Sequence, residues 1–498
     1  MDLFLKFKKK LLELYYLKSV LAILEWDKET YIPSQGFPFR VSIITYLTKL
    51  LHQKFLSSEF ENLLIKLKER EEKLSFEQKV ILREVWRDFS REKKLPIKFI
   101  EELTKVISQA YEVWVKAKEK SDFKLFSPYL KKIVAFKIKE AKLVGFQESP
   151  YDALLEIYEP YLTSKKISSV FEELKNFLLS FIEKITHSKI KINPKILEGN
   201  FDIERQKEFN KKLAKELGFN FKAGRLDETI HPFENALHPQ DVRMAIRYDK
   251  NNLFYALTSI VHETGHSLYE QSMLKENFGT PLAEAVSYGI HESQSLIWQN
   301  LIFKNKFFWQ YFYSKLQKEF PLPFSKINLE DFYKTLNCVK PSLIRVKADE
   351  VTYNLHIILR FEIEKDLIEE KIKVEDLPEI WNAKIKKYLK IKVPDDKNGV
   401  LQDVHWAIGS IGYFPSYALG TLYASRFYQA AKKDIINLEE EIEKGNFKIF
   451  RKWLRNNIHI YGKLYTAEEL VKKVTGEELN IKYFIDYLTK KYSQIYGT

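Results

Sequence analysis

Cysteine is nearly missing: Cys338 is the single thiol in 498 residues. One thiol cannot close an internal disulfide, and it excludes every metal site built on several cysteines. A metal held by this chain must rest on imidazole and carboxylate ligands. Long apolar runs are also lacking. The one long uncharged stretch, residues 406–425, carries Gly409, Gly412, Gly420 and Pro415, which suits close packing inside a protein better than contact with lipid. No secretory apolar segment with a small-residue cleavage site follows the basic run Lys8-Lys9-Lys10. No tandem repeat, low-complexity tract or Gly/Ser linker divides the chain. These absences predict a cytoplasmic protein with no membrane partner.

What is present is a normal globular composition, 45% apolar and 14% aromatic, too apolar for a disordered chain. The net charge is 81 − 68 = +13, but lysine and glutamate interleave, as in residues 66–73, KLKEREEK. Such mixtures form solvated helix faces and are common in heat-stable proteins. The basic residues follow no nucleic-acid-binding motif, so no nucleic-acid partner is expected.

Apolar positions such as Leu63, Leu64, Leu67, Leu74, Phe76, Val80, Leu82 and Val85 recur at helical spacing. Pro33, Pro38, Pro96, Pro128 and Pro150 punctuate the segments. Helices are predicted over about residues 205–217, ending at Gly218, and over 253–274, 287–299, 343–371 and 438–457. One stretch breaks the rule: in residues 241–248, Val242, Met244, Ile246 and Tyr248 alternate with other residues, the period of a half-buried strand. The predicted fold is all-α, mainly helical, with a small β-sheet beside the active site, in one domain spanning 1–498.

The chemistry centres on His262-Glu263-Thr264-Gly265-His266. Imidazoles four residues apart lie one turn apart on the same helix face and reach one metal ion. Glu263 lies about 100° around from His262, placed to hold a water without ligating the metal. Leu257, Ile260, Val261, Thr264 and Leu268 fall on the opposite side. Gly265 within the helix costs roughly 1 kcal/mol against alanine, which stability alone does not explain. A hydrolytic zinc site wants three protein ligands and an open position. Glu292, 26 residues after His266, is the best third ligand, with His291 and Glu270 as alternatives. Gln294 or His291 would then orient the ligands from behind. In such a site Zn²⁺ activates a water, Glu263 takes its proton, and a peptide carbonyl is attacked without a covalent intermediate. Co²⁺ can use the same ligands.

A series of motifs in order resembles the carboxypeptidase Taq type of thermostable, helical metallocarboxypeptidases. It comprises Trp26-Asp27 and Pro33, His231-Pro232-Phe233, Asp241-Val242-Arg243, the 262–266 motif and His291-Glu292-Ser293-Gln294. It continues through Ile344-Arg345 to Asp349, Gln402-Asp403-Val404-His405-Trp406, and Gly412-Tyr413 to Tyr417. The resemblance implies a two-walled fold around a deep groove, similar to oligopeptidases and angiotensin-converting enzyme, and a homodimer. N-terminal helices, about 1–190, would form part of one wall, and 220–430 would carry the metal site. It implies a broad-specificity exopeptidase removing C-terminal residues from peptides with a free C-terminus. Arg345 and Arg243 are then candidates for gripping that carboxylate, since a guanidinium binds it bidentately. His231, His405, Tyr413 and Tyr417 are candidates for contacts to the substrate backbone or the oxyanion, Tyr417 first among them. Two positions depart from the family pattern: Ala245 replaces a threonine whose hydroxyl would help to orient Arg243, and Leu296 replaces an arginine. Competing readings are an endo-oligopeptidase with the same metal centre, needing no carboxylate clamp, and an inactive metal-binding peptide scaffold.

Overall fold

Local capping chemistry sets many of the helix ends. Ser75 with Gln78, and Thr466 with Glu469, form reciprocal capping boxes, each satisfying two of the N–H groups that a helix start leaves free. At the other end, Gly218 takes φ +114° to stop the helix Ile203–Leu217 (α2), a conformation that favours glycine. The computed structural model describes residues 2–497. It is mainly helical, with three short strands.

The strands are β1 (Gly224–Glu228), β2 (Phe233–His238) and β3 (Asp241–Ile246), in the order β1-β3-β2. β3 runs parallel to β1 and antiparallel to β2. The predicted alternation holds over β3, where Val242, Met244 and Ile246 are buried, but the strand stops two residues before Tyr248. After the turn at Asp249, Asn252 accepts a hydrogen bond from the Tyr255 N–H at 3.1 Å and starts α3 (Leu253–Ser272). α3 packs across the sheet, and the Thr264 hydroxyl contacts the Met244 sulfur at 3.8 Å.

Beside α3 lies α4 (Tyr288–Leu296), which continues as a π-helical segment, Ile297–Phe303. Next come α5 (Tyr353–Ile368), α6 (Pro415–Asp434) and α7 (Phe447–Asn457). These elements share one large apolar core. The helix Leu3–Thr30 (α1) and its neighbours form a smaller core of their own around Phe7, Leu11, Phe60, Leu64 and Leu82.

Two predicted helices are shorter than their periodicity suggests. Residues 343–352 are not α-helical, because the Asp349 carboxylate accepts the N–H groups of Lys340, Val351 and Thr352 and folds the chain into a turn. The 438–457 helix is broken at Gly445, φ +75°, where a side chain would strike the Tyr311 ring.

Candidate metal centre

α3 carries His262 and His266, and α4 brings Glu292 against them. His262 Nε2 and His266 Nε2 are 3.2 Å apart. Glu292 Oε2 lies 3.6 Å from the first and 3.3 Å from the second. Ligands at about 2.0–2.1 Å around a tetrahedral ion stand roughly 3.3 Å from one another, so the donor set fits a zinc-sized cation. Two of the three charge states, those of His266 and Glu292, suit ligation. Burial and the neighbouring His291 push the His266 imidazole down to about 3, keeping its lone pair free. Against burial, His262 and His266 hold the Glu292 carboxyl below its usual range. His262 is raised, with Glu292 and Glu263 outweighing burial. Among the described residues, these three are the group of His, Cys, Asp and Glu able to hold an ion.

The alternatives for third ligand have other partners. Glu270 pairs with His291 at 3.1 Å, and the His291 ring stacks on His266 with centroids 4.3 Å apart. The expected role of Gln294 needs correction: its amide oxygen faces His459 Nε2 at 2.9 Å. Gln299 instead contacts His262 Nδ1 at 2.6 Å, fixing that ring so that Nε2 faces the cluster. Seven residues after Glu292 is about two helical turns, a spacing from which Gln299 was legible.

Glu263 is buried beside the cluster, and burial followed by the charge of Glu292 pushes its carboxyl up to about 7. A carboxyl titrating there is suited to taking and returning a proton near neutral pH.

Glycines explain how three elements approach so closely. A Cβ on Gly265 would stand 2.6 Å from Gln294 O and from Ser295 Cα, and one on Gly420 of α6 would stand 2.7 Å from Glu292 Cγ. α4 is therefore clamped between two glycine-faced helices, and Gly265 is a packing requirement. Gly420→Ala is expected to cost about 1–3 kcal/mol of stability through overpacking and to weaken metal retention about tenfold in a chelator competition. Unchanged retention at unchanged stability would remove the clamp.

Below the N-terminus of α4, Glu159 accepts the Gly289 N–H at 2.6 Å and the Ser416 hydroxyl at 2.6 Å. Burial outweighs these bonds and pushes its carboxyl up to about 7. An unfolded carboxyl titrates near 4.3, so this group's stabilisation is complete below that pH. It is lost as pH rises to about 7, by up to about 4 kcal/mol. Glu159→Gln is expected to flatten that slope, seen as a smaller drop in Tm between about pH 5 and about pH 8. An unaltered slope would show that Glu159 is ionised throughout.

The other candidates divide into two groups. Arg345 is buried, with Nε and Nη2 each 3.0 Å from Asp403 Oδ1 and Nη1 3.3 Å from the Tyr353 hydroxyl. Asp403 also accepts Arg360 Nε at 2.7 Å. Two guanidinium groups thus share one carboxylate, leaving a buried charge of +1. The Tyr417 ring lies 4.9 Å from the Arg345 guanidinium, and its hydroxyl is 3.3 Å from His405 Nε2. The Tyr413 ring lies 5.2 Å from that of Tyr417. Burial, then Arg345, pushes His405 down to about 3, and burial raises Tyr417, so both are neutral. Arg243 is occupied differently. Asp241 grips it with two bonds of 2.9 and 2.8 Å, and it covers the Trp26 ring at 4.6 Å. Its orientation is fixed with Ala245 in place of a threonine. His231 is exposed on the turn before β2. Leu296 is buried in the main core. Tyr353, Asp403 and Gln299 join the site without having been singled out from sequence.

With this geometry in place, known proteins offer a comparison. The family described as Carboxypeptidase Taq (M32) metallopeptidase matches residues 6–492. Carboxypeptidase 1 of Bacillus subtilis is 41% identical over 482 residues, 97% of this chain and 96% of its own. Thermostable carboxypeptidase 1 of Thermus thermophilus is 39% identical over 497 residues, 97% of each chain. The crystal structure of an M32 carboxypeptidase from Deinococcus radiodurans matches with a TM-score of 0.97 at 32% identity, covering 100% of both chains.

Proposed function

Because the chain belongs to the carboxypeptidase Taq (M32) metallopeptidase family and is a metallocarboxypeptidase, we propose the following division of labour among its residues. His262, His266 and Glu292 hold the ion, for which their spacing and donor types favour Zn²⁺, with Co²⁺ as the next fit. When bound, the ion supplies a Lewis acid that polarises the scissile carbonyl and makes water acidic. Glu263 takes the proton of the attacking water and passes it to the leaving amine. Tyr417 and His405, neutral and adjacent, donate to the oxygen on which negative charge gathers, and Tyr413 packs against them.

Arg345 receives the substrate's C-terminal carboxylate. A guanidinium has five N–H donors; three are engaged with Asp403 and Tyr353, leaving two for a ligand. The buried +1 charge shared by Arg345, Arg360 and Asp403 is the observation that carries this assignment. Arg243, neutralised one-to-one by Asp241, is a support for the sheet instead. His231, exposed just before β2, is assigned to the backbone of an extended peptide.

The substrates are peptides with a free C-terminus, of broad side-chain type, admitted to a groove with the helices up to about residue 190 in one wall. The enzyme works as a cytoplasmic homodimer; no described helix is long and apolar enough to cross a membrane. Family membership sets aside the endo-oligopeptidase and inactive-scaffold readings.

Mass spectrometry of a peptide digest tests the reaction and the metal together. The expected series is stepwise loss from the C-terminus, abolished by chelator and restored by Zn²⁺. Internal fragments, or digestion that persists after chelation, would overturn the assignment.

A further inference from the structure

A cavity of about 670 Å³ lies between the end of α3, the turn after it and α7. Its floor includes Leu268, about 200° around α3 from His266, so it opens on the other side of that helix from the metal cluster. Its charge is one-sided. α7 reads Phe-Lys-Ile-Phe-Arg-Lys-Trp-Leu-Arg-Asn-Asn and has no acidic residue. Lys448, Arg451, Lys452 and Arg455, at i, i+3, i+4 and i+7, all line the cavity, and Lys275 faces them from the turn. Glu276 is the one carboxylate in the lining, so the count is 5 − 1 = +4.

Elsewhere the chain interleaves its charges and pairs them across helices, as in Lys175 with Glu362 or Lys315 with Glu216. Here, among the described residues, none of the five cations has a carboxylate within 4.0 Å. Arg451 donates to the Gly218 carbonyl at 3.3 Å, while its Nε is buried without a partner. Arg455 reaches only the Asn456 side chain, at 3.4 Å. Cations that converge without counter-charges repel one another, and a bound anion with several charges relieves that repulsion.

We propose that this cavity is a binding site for a small multivalent anion of the phosphate class. The planar forks of Arg451 and Arg455 suit phosphate oxygens, and the lysines supply point charges. A concave site enclosed by two helices and a turn suits a compact molecule rather than an extended polyanion.

Calorimetric titration of fructose 1,6-bisphosphate into the metal-loaded enzyme tests this, with metal content followed throughout. Saturable binding that weakens with salt is expected, and inorganic phosphate should bind more weakly. Lys452→Gln/Arg455→Gln, both on exposed positions, should lose at least about tenfold in affinity. Lys98→Gln/Lys105→Gln, on the helix Ile97–Lys120, should lose none. Absence of saturable binding at millimolar bisphosphate would overturn the site. So would equal loss in both variants, phosphate binding as tightly as bisphosphate, or a DNA duplex binding α7 more tightly than either.

Discussion

Glu263→Gln is expected to lower kcat by about three orders of magnitude, roughly 4 kcal/mol in the barrier, while metal content and Tm stay near wild type. Glutamine keeps the shape and the hydrogen-bonding oxygen but cannot accept a proton. The residue is buried and is not among the three residues grouped so that they could hold an ion, so its replacement should remove proton transfer and little else. Burial pushes its carboxyl up to about 7, and the amide also dispenses with a buried ionisable group, which argues against any large fall in stability. Metal analysis separates the outcomes: lost activity with full metal supports a base, whereas lost metal would make Glu263 a structural partner of His262. A variant with full metal and more than about a tenth of wild-type kcat would place the base elsewhere.

Arg345→Ala should be nearly as damaging but selective. On peptides with a free C-terminus, kcat/KM should fall at least about a hundredfold, since truncating one partner of a buried charge pair costs about 2–5 kcal/mol. Amidated peptides, which present no carboxylate, should be hydrolysed as slowly by the variant as by the wild type. Against burial, Arg360 and Arg345 hold the Asp403 carboxyl well below the usual range, and Arg360 stays in place when Arg345 is removed. The core therefore keeps a compensated Asp403, and the loss should fall on substrate more than on folding. Arg345→Lys, which retains charge without the fork, should recover only part of the activity. Arg243→Ala is the control: it should lower Tm without distinguishing free from amidated peptides. Equal losses on both substrates for Arg345→Ala would remove it from carboxylate binding.

Much of this centre was legible in residue order because its chemistry depends on helix periodicity. The spacing of His262 and His266, the apolar phase of Leu257, Ile260 and Val261, and the glycine stop at Gly218 are local properties that a helix expresses directly. β3 was legible from its alternation. β1 and β2 were not: Gly224-Arg-Leu-Asp-Glu has one apolar residue and is held as a strand by pairing with β3. The overlong reading of residues 343–371 failed for a similar reason. The apolar residues there suggest a helix, but Asp349 draws three N–H groups to itself and sets Arg345 against Asp403. Contacts across about sixty residues of chain have no signature in local spacing. The meaning of Gly265 was also out of reach, since the atoms that forbid a side chain belong to Gln294 and Ser295.

The buried charge shared by Arg345, Arg360 and Asp403 bears on what happens between one cut and the next. Under the proposed assignment, the amino acid released by hydrolysis still carries the carboxylate gripped by Arg345, while the shortened peptide has a new carboxylate where the bond was broken. The two cannot occupy the arginine together. The free amino acid must leave first, and the peptide must then advance by one residue, about 3.3–3.6 Å for an extended chain, to bring its new end to Arg345. Exit of the product and translocation of the chain are thus coupled through one cation. Any small carboxylate in solution, including the enzyme's own products, competes with the peptide for that step.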